Sequence, residues 1–314
     1  MVNNNEQNIN LKKEFLELTK APPIKIQGIK TKLVPFILAN IKWDGKGRWI
    51  EPFLGSGVVL FNAKPERAIV ADSNKHIIRV YQAIQSGEVA PENLRVFLEK
   101  EGQILKQKGE SHYYEIRKRF NENHSPFDFI FLNRACFNGI IRFNSRGGFN
   151  VPFCRKPERF APAYITKICN QVAWVKNVIL GKDWHFVVQD WRKTISLVEE
   201  DDFIYLDPPY NDRHADYFNQ WNNDDADELA RTVKALKIGF AYSTWKQNQY
   251  RVNEHLAKHF TGYPTFTIQH FYHVGSTEKL RNSMEEALVV SHKNINENLL
   301  NKTKEILIQP MLSF

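Results

Sequence analysis

Phe203-Ile204-Tyr205-Leu206-Asp207-Pro208-Pro209-Tyr210 is a short apolar run that stops in an acid, two prolines and an aromatic. Four consecutive apolar residues read as a strand buried on both faces, the kind found in parallel sheets. The prolines end the pairing, because each fixes its own φ and removes an amide donor. An acid and several free carbonyls are left at the strand exit. Ligands of open α/β sheets bind at that edge, so Asp207, Pro208, Pro209 and Tyr210 are the expected catalytic residues. An isolated Asp-Pro-Pro-Tyr is also an ordinary strand-ending turn, and the rest of the chain has to decide between the two.

Upstream, Arg48 to Glu51 reads as a strand that runs straight into Pro52-Phe53-Leu54-Gly55-Ser56-Gly57, after which Val58 to Phe61 resume as a helix. A glycine turn between strand and helix lets backbone approach a ligand and aims helix amides at it. Position 60 is leucine, where a dinucleotide site would carry a third glycine, and this disfavours a nicotinamide cofactor. A second strand, Ala68 to Ala71, ends at Asp72, 17 residues beyond Gly55. An acid there can accept hydrogen bonds from ribose hydroxyls, or it can cap the helix expected from Ser73 to Ile84.

Further strands are expected at Phe186 to Val188, Phe203 to Leu206, Gly239 to Ser243 and Glu286 to Ser291. Helices are expected at Leu33 to Ile41 and at Asp224 to Leu236, the latter capped by Asp224 or Asp225. From Ser276 the chain reads as a loop leading into the last strand. The alternation predicts an α/β fold with a Rossmann-like doubly wound sheet.

From about Tyr81 to Ile168 the texture changes to basic helical segments such as Tyr113 to Phe120, followed by a stretch rich in Gly, Asn and Arg. The predicted division is a discontinuous catalytic domain, 20–80 and 174–295, with an inserted, mainly helical subdomain at 81–173. A polar leader, 1–19, and a tail, 296–314, flank it. Arg79 through Ala173 holds 15 Lys+Arg against 9 Asp+Glu, so it carries +6 of the net +8, and a polyanion contact is expected there. A solvated basic face would show the same balance.

The chain has 314 residues, enough for one large domain or two modest ones with a sizeable core. Cys136, Cys154 and Cys169 are odd in number and lack paired metal-ligand spacing, which suits a reducing compartment. The histidines likewise form no metal-ligand cluster in the sequence, and His270 and His273 are expected as surface or core groups. No signal-peptide pattern and no apolar run near the roughly 20 residues needed to cross a bilayer is found, so a cytoplasmic protein without a membrane contact is expected.

An exocyclic amine on a nucleobase is a poor nucleophile, since its lone pair is delocalised into the ring. Were Asp207 and the Pro208 carbonyl each to accept one amine hydrogen, the lone pair would turn toward an electrophilic methyl; holding reactants in line supplies much of the rate. Tyr210 can stack on a base flipped from a duplex. This chemistry needs no metal.

Together these residues resemble the Dam-like, alpha-group (D12 class) DNA adenine-N6 methyltransferases, from about Pro22 to Ser291. The resemblance implies S-adenosylmethionine as cofactor, S-adenosylhomocysteine as product and double-stranded DNA as partner. Pro23 to Lys30 is similar to the first cofactor motif, with Ile26 standing where the family usually has tryptophan, Ile29 in place of a glycine and Lys30 matching. Glu51 to Gly57 matches the glycine motif, Asp72 the ribose acid, and Asp190-Trp191 the pair that contacts the cofactor adenine. The implied cofactor residues are Ile26, Lys30, Phe53, Gly55, Ser56, Gly57, Asp72, Asp190, Trp191 and Asp207. Leu132 to Phe153 resembles the hairpin that reads DNA, with Gly148 where an acid is frequent. The implied DNA contacts are Arg134, Phe137, Asn138, Ile140, Arg142, Asn144, Arg146 and Pro152. Arg142 can pair bidentately with guanine, and Arg146 can hold phosphate. The expected target contains GAT, with GATC as the full site. A partner restriction endonuclease and a monomeric state complete the expectation. The competing readings are methylation of cytosine N4 or an RNA adenine, and a non-catalytic DNA-binding protein on the same scaffold.

Overall fold

A computed structural model describes residues 19–210, 221–271 and 283–296. Nearly all of the expected leader, the loop from Ser276, His273 and nearly all of the tail lie outside those residues.

Seven strands form one sheet in the order β3-β2-β1-β4-β5-β7-β6. They are β1 (Trp49–Glu51), β2 (Arg67–Asp72), β3 (Asp183–Val188), β4 (Phe203–Leu206), β5 (Gly239–Asn248), β6 (Thr265–Phe271) and β7 (Ser283–Val290). The first five are mutually parallel, and β7 inserts antiparallel between β5 and β6. This is the Rossmann-like α/β sheet expected for a methyltransferase.

Side-chain alternation divides two cores across the sheet. Trp49, Phe203, Tyr205, Ala241, Leu288 and Val290 join the larger core. Their neighbours Ile50, Ile204, Leu206, Phe240, Tyr242 and Val289 join the smaller one. Because both faces are covered, the central strands read as continuous apolar runs, and β4 occupies the very residues expected. β6 was not anticipated. It is an edge strand with one covered face: Phe266 and Ile268 pack on the core while Thr265, Thr267 and Gln269 are exposed. Its signature is therefore alternation and not a run.

The larger core is covered by α1 (Val34–Asn40), α2 (Val58–Ala63) and α3 (Lys75–Ser86). Between α3 and β3 the chain forms α4 (Pro91–Lys108), α5 (Glu110–Asn123), α6 (Pro126–Ala135), an irregular hairpin and α7 (Pro162–Ile179). Proline opens three of these helices, where its missing N–H costs nothing. The same apolar core runs from the sheet through these helices, and positions 81 and 173 both fall inside helices, α3 and α7. The opposite face is covered by α8 (Trp191–Ile195), α9 (Asn223–Ala235) and α10 (Glu254–Phe260). The cap of α9 is Asn222, correcting the expected Asp224 or Asp225. Asn222 accepts from the Asp225 amide while the Asp225 carboxylate accepts from the Asn222 amide.

No helix among the described residues is long and apolar enough to cross a membrane.

Candidate active site

After β1 the chain builds β2 and β3 on one side, then returns to place β4 and β5 on the other. The gap where the winding reverses lies at the carboxyl ends of β1 and β4, and a cavity of about 490 Å³ opens there. The size suits a nucleoside-scale ligand.

The turn after β1 forms one wall. The Leu54 amide donates to the Ala71 carbonyl at 2.9 Å, docking the turn on β2. Gly55 adopts φ +50° and its amide donates to Asp72 at 2.9 Å, while the other Asp72 oxygen accepts from the Asn74 amide at 2.8 Å. Burial pushes the Asp72 carboxyl above its usual range, against the pull of those two amides. Asn74 caps α3, accepting from the His76 amide, so Asp72 is not the helix cap. Ile26, Phe53, Gly55, Ser56 and Asp72 all line the cavity. Gly57 is not part of the wall: at φ +69° it is the left-handed entry to α2, and a Cβ there would lie 2.6 Å from the Phe61 ring.

The opposite wall is the Asp207–Tyr210 turn. Lys30, 4% exposed, places its ammonium 3.0 Å from Asp207 Oδ1 and 2.8 Å from the Tyr210 hydroxyl. That hydroxyl donates to Glu286 Oε2 at 2.6 Å. Burial raises the Asp207 pKa; Lys30 opposes the rise and Glu286 adds to it. Glu51, at the end of β1, accepts from the Trp49 indole at 2.9 Å and is buried enough that its carboxyl is pushed up to about 8. Lys30 thus pairs with Asp207 and, through Tyr210, reaches Glu286, while Glu51 at the end of β1 lies close enough to Asp207 for the two acids to repel. Charge repulsion and burial both favour protonating an acid here, and Lys30 counters this at Asp207 in particular.

Aromatic faces close the far end. Phe53, Trp191 and Trp221 form a three-ring cluster, with centroids 6.5 Å (Phe53–Trp191), 5.4 Å (Phe53–Trp221) and 6.4 Å (Trp191–Trp221) apart. Asp190 caps α8 through the Arg192 amide and also lines the cavity.

The expected DNA-contact residues divide into three groups. Phe137, 51% exposed, and Asn138, at φ +55°, stand on a tight turn, and the Phe137 amide donates to the carbonyl of the exposed Pro152. Asn144 and Arg146 occupy the exposed hairpin tip, where the Asn144 side chain accepts from the Arg146 and Gly148 amides. Arg142 reaches across to Asn150 Oδ1 at 2.9 Å. Ile140 turns inward and lines the cavity with Ile141 and Phe143, so the hairpin root is a wall of the same site. Arg134 is a correction. It is 2% exposed, and its guanidinium donates to the Pro23 carbonyl and to Gln171 Oε1. Asn133 beside it exchanges two hydrogen bonds with the Lys25 backbone. This pair holds the segment that leads to Ile26 and Lys30, and faces no solvent.

Sequence reasoning did not single out Glu286, Trp221 or the buried role of Glu51. A charged residue inside an apolar strand was the available signal for both glutamates.

A mostly parallel sheet wound both ways, with an acid-proline turn facing a glycine turn across its switch point, is the arrangement of a Rossmann-like methyltransferase. The family profile described as D12 class N6 adenine-specific DNA methyltransferase matches residues 27–296, and the chain belongs to that family. It is 28% identical over 239 residues to the Type II methyltransferase M.MjaIII of Methanocaldococcus jannaschii, covering 68% of this chain and 80% of that protein. It is 32% identical over 211 residues to the DNA adenine methylase of Haemophilus influenzae, covering 59% and 68%. With the DNA adenine methylase of Serratia marcescens the match is 29% over 167 residues, covering 51% and 57%. The protein is an adenine-specific DNA methyltransferase, and the family implies S-adenosylmethionine as methyl donor.

Proposed function

We propose that this enzyme methylates N6 of an adenine turned out of duplex DNA at a GAT-containing site, GATC in full. The observation that carries the reading is that Asp207, the glycine turn and Asp72 share one cavity. S-adenosylmethionine, when bound, supplies the electrophilic methyl. Asp72 and the Gly55 turn would hold its ribose side, Asp190 and the Phe53–Trp191 faces its adenine, and Ile26 stands where the family usually stacks a tryptophan. The volume, the aromatic faces and a buried carboxylate beside a glycine turn all fit that group.

On the substrate side, Asp207 and the Pro208 carbonyl are the acceptors for the two hydrogens of the target amine, an arrangement that would free the nitrogen lone pair from the ring. Tyr210 stacks on the base while Lys30, bound to both Asp207 and Tyr210, opposes the upward pull of burial on the acceptor and holds the ring in place. Arg142 reads one guanine, Arg146 holds phosphate, and Phe137 with Asn138 fills the gap left by the base. Residues 81–173 act as the target-recognition part and 20–80 with 174–295 as the catalytic part. The enzyme acts as a monomer in the cytoplasm, as the modification half of a restriction-modification pair.

Sequencing of modified bases in DNA from a host that lacks adenine methylation and expresses this chain tests the proposal. Methyladenine confined to GATC is expected. Modification at another motif overturns the site, and unmodified adenine with folded protein present overturns the catalytic assignment.

A further inference from the structure

On the sheet face opposite the large core, Asp227 of α9 meets His255 and His259 of α10. His255 Nδ1 lies 3.1 Å, and His259 Nε2 2.7 Å, from the same oxygen, Asp227 Oδ1. The three atoms lie within 4.8 Å of one another. Positions i and i+4 put both imidazoles on one side of the helix, and the carboxylate reaches them from the neighbouring helix. All three side chains are largely enclosed, with exposures of 12%, 7% and 21% for His255, His259 and Asp227. The second carboxylate oxygen is held by the Lys258 ammonium. His255 Nε2 is buried without a hydrogen-bond partner among the described residues, so no group on its far side dictates which nitrogen carries the proton.

We propose that Asp227, His255 and His259 bind one divalent transition-metal ion of the zinc class, at a site separate from methyl transfer. Two imidazoles and one carboxylate suit zinc, cobalt or nickel, whereas magnesium and calcium require mainly oxygen. The ion takes the place of the two N–H donors that now converge on Asp227 Oδ1. Each neutral ring offers a nitrogen lone pair and keeps its proton on the other nitrogen, so no proton is lost from a neutral ring. Solvent can complete the coordination. From the other oxygen Lys258 orients the carboxylate, as outer-shell partners do at metal sites. The consequence is a clasp between α9 and the seven-residue α10 that leads into β6.

The test uses the untagged full chain, freed of metal with a chelator and titrated with cobalt(II) while visible absorption is followed. A band that saturates at one ion per chain, is erased by zinc and survives excess magnesium is expected, together with a higher melting temperature in zinc. His259→Gln retains a donor to Asp227 and should weaken cobalt binding by more than about 100-fold, beyond what outer-shell changes cost. His255→Gln should act the same way. Absence of a saturating band in the wild type, or wild-type cobalt affinity in both variants, overturns the site and leaves a carboxylate merely hydrogen-bonded to two imidazoles.

Discussion

At the sheet edge, Lys30, Asp207, Tyr210 and Glu286 come from three distant parts of the chain and meet within hydrogen-bond distance. In the hairpin, Asn144 binds amides two and four residues away, and Arg142 pairs with Asn150, eight residues along. The first region is tied to the sheet, since Asp207 and Tyr210 follow β4 directly, Glu286 lies in β7, and Lys30 joins them from the turn before α1. The second is held by its own turn and is anchored to the protein at its base, where Tyr113 donates to the Val151 carbonyl and Asn121 pairs with the Phe149 backbone. Chemistry that depends on alignment requires the first kind of support. A reading surface requires the second, because its exposed side chains can change without cost to the fold.

Substitutions break this contrast at different strengths. Asp207→Ala, at the sheet edge, should reduce methyl transfer by about 100- to 1000-fold or more. Binding of S-adenosylhomocysteine by calorimetry should be nearly unchanged. Near-normal turnover in a tritiated-methyl assay would remove Asp207 from the chemistry. Arg134 and Arg142 then form a matched pair from one stretch of sequence. Arg134→Met leaves two acceptors without their donor, and an unfolding loss of about 2 to 4 kcal/mol is expected, with site preference intact. Arg142→Ala should do the reverse, costing about 1 to 3 kcal/mol of discrimination at one guanine with little change in urea midpoint. If both variants lost only stability, the hairpin would not be a reading surface.

A pH-dependent effect concerns Glu51. Its carboxyl is raised from 4.5 to about 8 in the fold, chiefly by burial, so the protonated form is the one the folded state favours. Its contribution is fully present below the unfolded pKa and is lost as pH rises to the folded value. Glu51→Gln should therefore flatten the decline in stability between pH 4.5 and about 8, by up to about 1.4 kcal/mol per pH unit. Denaturant midpoints across that range measure it, and identical slopes in both proteins would show that Glu51 is ionised when folded.

The strand β4, the glycine turn and the acid after β2 were legible because their signals are local: an apolar run, a positive-φ residue, a fixed spacing. Edge strand β6 carried an equally local signal, the alternation Thr265-Phe266-Thr267-Ile268, but a different one from its buried neighbours. Asp72 was ambiguous between ribose acid and helix cap until Asn74 was found in the capping role.

By itself the sequence determined the doubly wound α/β class, the family and the edge of the sheet where an acid and a glycine turn must face a ligand. Periodicity, turn residues and motif order are properties of neighbours along the chain. Only the tertiary structure decided that Arg134 is an interior clasp and Arg142 a hairpin group, that Glu51 and Glu286 crowd Asp207, and that Lys30 offsets them. Burial and charge partnership depend on residues brought from far away, such as Pro23 to Arg134 and Glu286 to Tyr210, and no local pattern records which of them will meet.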